Sequence, residues 1–200
     1  MIKIMGSIPH NVYLACSGGV DSMAVLDFLI RGKKDVTVLY FNHGTEHSQF
    51  VEDKIRKYCE NNNVKIIFGL SKRNRLKTES LEEYWRNIRY EFFHSINGTV
   101  ITAHHLDDVV ETYIFSCIHG KPKVINYCNK NVIRPFLTTS KVAFQNWCND
   151  KSVPYWDDKS NDDIRFARNR IRHKIIPEVF IINPGIRKIV KKLVMNRQET

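Results

Sequence analysis

The chain has 200 residues and a mass of 23.5 kDa, and its 31 Lys and Arg side chains against 21 Asp and Glu give a formal net charge of +10. This length fits one domain with at most a small extension, and no apolar run approaches the roughly 20 residues that a membrane span needs. The first apolar stretch is broken by Pro9 and His10, which is untypical of a signal peptide. We therefore expect a cytoplasmic protein, or one in the equivalent compartment of an organelle or host, with no membrane partner.

The positive charge is concentrated in the last quarter of the chain. Residues 151–200 carry 12 basic and 6 acidic side chains, whereas residues 1–150 carry 19 and 15. A local basic excess favours a polyanionic partner such as nucleic acid. A basic protein without such a partner is the alternative that charge alone leaves open.

Four short apolar runs predict strands of a parallel sheet. Continuous apolar runs of this length are typical of strands that are covered on both faces. The runs are Asn11–Cys16, Val36–Phe41, Lys65–Leu70 and Thr99–Ala103. Further along, Val132–Ile133 predicts an edge strand, and the segment 121–130 before it predicts a loop.

Amphipathic segments separate these strands and predict four helices. They are Ser22–Arg31, Gln49–Asn61, Ser80–Ile96 and Asp107–Ile118, and the third opens with a Ser80-x-x-Glu83 capping box. Alternation of strand and helix predicts an α/β fold with a doubly wound, mostly parallel sheet, whose ligands bind at the carboxyl ends of the strands.

Three more helices are predicted after the sheet. They are Thr139–Asp150, Ile164–Ile176, which is expected to end before Pro177, and Ile186–Met195. The sequence thus divides into a core, residues 1–135, and a short helical extension of the same domain, residues 136–200.

The turn after the first strand has the chemistry of a phosphate loop. Its sequence is Ser17-Gly18-Gly19-Val20-Asp21-Ser22, where two glycines permit a tight turn with inward N–H groups and a helix N-terminus follows. The lysine of a Walker A loop is missing. Because a carboxylate repels phosphates, Asp21 predicts a bridging cation such as Mg²⁺. An ordinary Gly-rich turn is the alternative.

The fourth strand leads into a dense cluster of ionisable side chains, in the segment ITAHHLDDVVET at 101–112. Asp108 and Glu111 are three residues apart on the following helix, so they share a face and could bind a cation. Zinc binding by His104, His105 and Asp108 is an alternative, although adjacent histidines point apart. Asp107 is expected to cap its own helix.

Two groups of basic residues lie on predicted helices. Arg86 and Arg89 are three apart and could contact a triphosphate or RNA, or pair with neighbouring glutamates. The second group is the arginine-rich helix, which carries Arg165, Arg168, Arg170, Arg172, His173 and Lys174. In a helical register, one face of this helix carries Arg165, Arg168 and Arg172. The buried face is formed by Ile164, Ile171 and Ile175. This arginine density favours phosphate contact over a merely solvated surface.

The phosphate loop resembles the signature of the PP-loop family of N-type ATP pyrophosphatases, which implies a Rossmann-like fold and cleavage of ATP to AMP and pyrophosphate. The whole set of motifs resembles the tRNA(Ile)-lysidine synthetase family within it. The matching segments are SGGVDS (17–22), FNHG (41–44), SLEEYWRNIRY (80–90), AHHLDDVVET (103–112), IRPFL (133–137) and DDKSNDDIRFARNRIRHKIIPE (157–178). That family ligates free lysine to C2 of the wobble cytidine, position 34, of a CAU-anticodon isoleucine tRNA through an adenylated cytidine.

The resemblance implies roles for individual residues. The ATP-binding set is Ser17, Gly18, Gly19, Val20, Asp21, Ser22 and His104. Asp21 is linked to Mg²⁺ through the phosphates, and Asp108 and Glu111 recognise lysine. The catalytic set is Asp21, Asp108, Arg86 and Arg172. The set that contacts the tRNA anticodon loop is Arg165, Arg168, Arg170, Arg172 and His173.

The chain departs from the family in ways that leave alternatives open. Thr45-Glu46 replaces the usual Leu-Arg after FNHG, and we expect no separate C-terminal domain for binding tRNA. A tRNA thiolase is one alternative, although its CxxC pair is missing among the five cysteines. A non-catalytic RNA-binding relative and a small-molecule amidating synthetase are the others, and a homodimer is left open.

Overall fold

The computed structural model describes residues 1–158 and 162–197, and within that part the strands form one six-stranded sheet. The strands are β1 (Asn11–Ala15), β2 (Asp35–Asn42), β3 (Lys65–Leu70), β4 (Val100–Thr102), β5 (Cys128–Asn129) and β6 (Val132–Ile133). Their order is β3-β2-β1-β4-β6-β5, and all neighbours are parallel except β5 and β6. The predicted doubly wound, mostly parallel sheet is confirmed.

The helices alternate with the first four strands and then follow one another. They are α1 (Val20–Arg31), α2 (Glu46–Asn61), α3 (Leu81–His94), α4 (Leu106–Ile118), α5 (Lys141–Lys151), α6 (Ala167–Arg170), α7 (Ile176–Ile182) and α8 (Ile186–Asn196), with a π-helical segment, Ile171–Ile175, between α6 and α7. Ser80 caps α3, since its side chain accepts a hydrogen bond from the Glu83 amide. The described residues show no reciprocal bond from the Ser80 amide to the Glu83 side chain, so the predicted capping box is only half formed.

The described residues form three buried apolar clusters, and the two largest hold the layers together. The first surrounds the central strand β1, where Leu14 is completely buried among side chains of α1 and α5 such as Met23 and Phe144. The second joins α4 to the C-terminal helices through Val109, Ile171 and Val190. Helix α8 buries Ile186, Val190 and Val194 in this second cluster, whereas its Ile189, Leu193 and Met195 are exposed.

The helices after the sheet pack on the core. The Trp147 ring of α5 lies 5.4 Å from the Phe28 ring of α1, and its indole N–H donates to Asp27 at 2.8 Å. We therefore keep as a proposal that residues 136–200 extend the domain formed by residues 1–135. Residues 198–200 of that extension and 159–161 of the arginine-rich motif lie outside the described residues.

The structure corrects three expectations after residue 120. Val132–Ile133 is not at the edge of the sheet, because β5, inside the predicted loop, pairs outside it. The arginine-rich helix begins at Ala167, which leaves Arg165 and the 45% exposed Ile164 in the turn before it. It also continues past Pro177, which occupies the first turn of α7 after a π-helical segment, where a missing N–H is tolerated.

Within residues 1–158 and 162–197, no helix combines the length and hydrophobicity needed to cross a membrane.

Candidate active site

The carboxyl ends of three neighbouring strands bring the sequence motifs together. β2, β1 and β4 are adjacent in the sheet and parallel. His43 follows β2, the loop at 17–22 follows β1, and His104 and His105 follow β4. The edge at which a doubly wound sheet binds ligands therefore carries the phosphate loop and the ionisable cluster side by side.

The phosphate loop is shaped by glycine and by a buried serine. Gly18 has a φ of +84°, and a Cβ there would collide with Val51 of α2. The buried Ser22 hydroxyl accepts from the Ser17 amide at 3.2 Å and donates to the Gly19 carbonyl at 3.0 Å. In the described structure Gly19 starts α1 without a side-chain cap, so the first amides of α1 are open to an anion.

Asp21, in the first turn of α1, has one oxygen engaged and one without a partner. Its Oδ2 lies 3.4 Å from Nε2 of His105. Its Oδ1 is buried and is one of three buried side-chain atoms in the described residues that have no hydrogen-bond partner. An unpaired, buried carboxylate oxygen beside a phosphate loop fits a cation ligand, because a cation would compensate its lost hydration.

His105 caps α4 and forms a capping box with Asp108. Its Nδ1 accepts from the Asp108 amide at 3.3 Å, and its own amide donates to Oδ2 of Asp108 at 2.9 Å. Burial lowers the pKa of His105, but the nearby carboxylates of Asp108 and Asp21 outweigh this and raise it. Burial raises the pKa of Asp108, yet His105, whose amide also donates to the carboxylate, and the charge of Arg172 bring it below the ordinary value.

The sequence predicted that Asp107 caps its own helix, and this prediction is wrong because His105 occupies the N-cap position of α4. Instead Oδ2 of Asp107 accepts from the Lys141 amide at the start of α5, at 2.8 Å, and its Oδ1 binds Arg187 of α8 at 2.7 Å. Asp107 therefore ties three helices together beside the site.

Two histidines at this edge are held neutral. His104 hydrogen-bonds Thr102 at 2.7 Å, and burial, followed by smaller effects of nearby arginines, lowers its pKa to about 4. His43 packs 5.6 Å from the Trp85 ring, and its Nδ1 is a second buried atom without a partner in the described part of the chain. Burial and the charge of Arg89 also lower its pKa to about 4.

The predicted acidic pair and the arginine-rich helix are in direct contact. Glu111 is 3% exposed, and its Oε1 lies 2.9 Å from Nη1 of Arg168. Its Oε2 lies 2.7 Å from Nη2 of Arg172. The second member of the pair, Asp108, has its Oδ1 3.9 Å from Nη2 of Arg172. Opposite charges raise the pKa of Arg172 although burial opposes this.

The remaining basic residues of this segment face solvent. Arg165 is paired with Asp163 at 2.7 Å, and Arg170 and Lys174 are exposed. His173 lies 3.8 Å from Asp162. The segment is thus divided into two arginines that face Glu111 and an outer basic surface, which we call the outer basic face: Arg165, Arg170, His173 and Lys174.

Helix α3 presents two arginines that differ in environment. Arg86 is exposed, with its guanidinium 4.9 Å from the centre of the Tyr90 ring. Arg89 is more deeply placed, and burial lowers its pKa. No acidic partner of Arg89 occurs among the described residues, so its charge is available to an anion.

Sequence reasoning considered His105 only as a zinc ligand and missed its two contacts. The signal was present, because His105 and Asp108 have the spacing of a capping box. Within the described residues, no three His, Cys, Asp or Glu side chains are arranged to hold a metal ion. The zinc alternative therefore has no support in the geometry.

Comparison with known proteins identifies the family. A model of the PP-loop domain matches residues 3–179. Curated relatives named tRNA(Ile)-lysidine synthase are 34% identical in Lactiplantibacillus plantarum and in Persephonella marina, over 90% and 88% of this chain. These alignments cover 44% and 43% of the relatives, so the chain spans less than half of their length.

A solved structure confirms the fold. The NH3-dependent NAD synthetase of Campylobacter jejuni superposes with a TM-score of 0.51, covering 95% of this chain and 86% of that one. At 17% identity, the similarity concerns the α/β architecture alone.

Proposed function

We propose that this chain, which belongs to the PP-loop family, is an enzyme that uses ATP to ligate lysine to C2 of the wobble cytidine of a CAU-anticodon isoleucine tRNA. The observation that carries the proposal is the meeting of three elements at one sheet edge: the phosphate loop, the acidic pair and the arginine-rich helix. The names of the curated relatives support the same activity.

The ATP side of the site is the loop between β1 and α1. Amides of the loop and the hydroxyl of Ser17 would hold the phosphates, and the positive end of α1 adds to the attraction. The predicted Ser22 would contribute by supporting the loop, since its hydroxyl proton is donated to the Gly19 carbonyl. Asp21 would hold Mg²⁺ together with phosphate oxygens, since its Oδ1 is buried and unpartnered. When bound, Mg²⁺ would neutralise charge on the phosphates and the leaving pyrophosphate.

The lysine side of the site is the acidic pair on α4. Both oxygens of Glu111 are already engaged by arginines, whereas Oδ1 of Asp108 has only the 3.9 Å contact with Arg172. We therefore propose that Asp108 binds the ammonium group of lysine, while Glu111 adds negative charge nearby. The low pKa of Asp108 keeps it ionised for this contact.

The proposed reaction has two displacements. The cytidine C2 oxygen attacks the α-phosphorus of ATP, which forms an adenylated base and releases pyrophosphate. The ε-ammonium group of lysine gives up a proton to solvent, and the resulting amine attacks C2. The bond between C2 and its oxygen then breaks, so that AMP leaves with that oxygen. Arg172, which contacts Glu111, and Arg86, whose charge acts on His104, would stabilise the charge on the phosphates. His104, being neutral, adds no positive charge that would repel the amine.

The RNA side of the site is the outer basic face with Arg168 and Arg172 behind it. The anticodon loop is single-stranded, so its cytidine can enter the site without opening a duplex. Phosphate contacts from exposed arginines would hold the loop without reading its sequence.

The test is incorporation of labelled lysine into a CAU-anticodon isoleucine tRNA transcript by purified protein with ATP and Mg²⁺. We expect incorporation that requires both, with AMP as product. The matched control is Asp21→Asn, which preserves the size of the side chain and should abolish incorporation while the protein stays folded. A folded wild-type protein that binds ATP but incorporates no lysine would refute the proposal.

A further inference from the structure

We propose that His105 is a positioning residue that holds the Mg²⁺-linked carboxylate of Asp21 and the lysine-binding carboxylate of Asp108 at once, an inference that rests on the proposed function. The imidazole stands between them. Its Nε2 lies 3.4 Å from Oδ2 of Asp21, and its Nδ1 accepts from the Asp108 amide at 3.3 Å. The imidazole of His105 therefore contacts both Asp21 and Asp108, which are far apart in sequence.

Burial fixes the direction of this ring. His105 is 4% exposed, and its ring lies 5.9 Å from that of Phe144. Because Nδ1 is used in the helix cap, Nε2 carries a proton and is the nitrogen that faces Asp21. In this neutral tautomer the ring accepts at Nδ1 from the Asp108 amide and directs the Nε2 proton toward Asp21 at the same time.

The contact determines which oxygen of Asp21 is free. With Oδ2 facing His105, the remaining oxygen is Oδ1, which is buried and has no partner among the described residues. A carboxylate held by one oxygen loses less freedom when its other oxygen binds a cation. His105 should therefore strengthen Mg²⁺-dependent binding of ATP without touching the nucleotide.

The same residue determines which oxygen of Asp108 is free. The backbone amide of His105 donates to Oδ2 of Asp108 at 2.9 Å. This leaves Oδ1 as the oxygen for the ammonium group of lysine. The cap thus aligns the lysine side of the site with the ATP side through a single residue.

Two substitutions separate the cap from the contact with Asp21. In His105→Asn the side-chain oxygen can still accept from the Asp108 amide, since Asn is a good N-cap, but the side chain is too short to reach Asp21. In His105→Gln the amide nitrogen can occupy the position of Nε2 and donate to Asp21, but the cap is weakened. The control is His10→Asn, at an exposed histidine far from the site.

The measurement is calorimetric titration with ATP at a series of Mg²⁺ concentrations, together with Tm. For H105N we expect a Tm near that of the wild type and an increase of about tenfold in the Mg²⁺ concentration that gives half-maximal ATP binding, as for loss of one hydrogen bond to a charged group. H105Q should have a lower Tm and a Mg²⁺ dependence near that of the wild type, and H10N should change neither.

Each result decides the proposal. H105N with an unchanged Mg²⁺ dependence would overturn it, and so would an equal loss in H105N and H105Q, which would indicate damage to the fold. Wild-type protein that binds Mg²⁺-ATP but makes no lysidine would refute the proposed function and leave the role of His105 to be judged on the titrations. Wild-type protein that binds no ATP at any Mg²⁺ concentration would overturn both.

Discussion

Arg172 binds Glu111 through two nitrogen atoms, with Nε 2.9 Å and Nη2 2.7 Å from the same oxygen, Oε2. Arg168 occupies the other oxygen, so a 3% exposed carboxylate is surrounded by two guanidinium groups. Buried charges are tolerated when they are paired in this way. The arginine-rich helix is consequently part of the site architecture and not merely a surface for RNA.

We predict that stability depends on the inward arginines. Arg168→Ala and Arg172→Ala should each lower the free energy of unfolding by about 2 kcal/mol, because each removes a charge-assisted hydrogen bond to a buried carboxylate, with some screening at the half-exposed arginines. Arg165→Ala is the control, since its pair with Asp163 is exposed, and it should change stability by less than about 0.5 kcal/mol. Urea unfolding measures all three. Equal stability of R172A and R165A would contradict the prediction.

We predict that the arginines of the outer basic face contribute to tRNA binding and not to stability. Arg165→Ala and Arg170→Ala remove exposed charges, so each should leave Tm nearly unchanged, weaken tRNA binding and reduce the salt dependence by about one counterion. Filter binding across a range of salt concentrations measures this. Glu178→Gln, an exposed change on the same helical segment, should not weaken binding. Unchanged affinity in both arginine variants would exclude this face from the RNA contact.

The sheet and the phosphate loop could be predicted because their signals are local. The four apolar runs locate strands β1 to β4 to within one residue at each end, and Lys65–Leu70 matches at both ends. The glycines at 18 and 19 mark the phosphate loop. Local periodicity could not find β5, which has two exposed residues and is formed by pairing with β6. Its existence depends on tertiary contact and not on a hydrophobic pattern.

The internal connections of the site could not be predicted for a related reason. Glu111 and Arg172 are 61 residues apart, and no spacing rule states which helix packs on which. The helical register also failed for Arg165, because it assumed one regular helix where the chain has a turn, a short α-helix and a π-helical segment.

We predict that Thr45 stabilises α2. Its hydroxyl accepts from the Ser48 amide at 3.1 Å, and Glu46 follows in the first turn, where the helix dipole favours an acid. Thr45→Ala should therefore lower the free energy of unfolding by about 1 kcal/mol, whereas Thr45→Ser should retain the cap. Urea unfolding of the two variants measures the difference. A T45A protein as stable as T45S would exclude a capping role for this departure from the family pattern.

We predict that acid destabilises the fold partly through His104. Its pKa in the folded protein is about 4, below the 6.5 of an unfolded histidine. Between these values the unfolded chain binds a proton that the folded chain does not, so the free energy of unfolding falls as the pH falls through this window. His43 acts in the same direction, whereas the raised pKa of His105 opposes it.

Urea unfolding at pH 7, 6 and 5 tests this dependence. His104→Gln keeps a polar partner for Thr102 but cannot titrate, so the loss of stability with acid should become smaller than in the wild type. The control is His10→Gln, at an exposed histidine, and it should keep the slope of the wild type. An H104Q protein with the wild-type slope would show that His104 titrates normally.

We predict that Gly18 is required by both its conformation and its surroundings. Gly18→Ala forces a side chain into a φ of +84° and against the completely buried Val51, which should cost about 2 to 4 kcal/mol in all. Gly44→Ala is the matched control, because its φ is +76° with no atom within 4 Å of a Cβ, and it should cost only about 1 to 2 kcal/mol. In a Val51→Ala background the collision is relieved, so G18A should cost less there than in the wild type when both are measured by urea unfolding. An equal cost in the two backgrounds would mean that backbone strain alone explains this glycine.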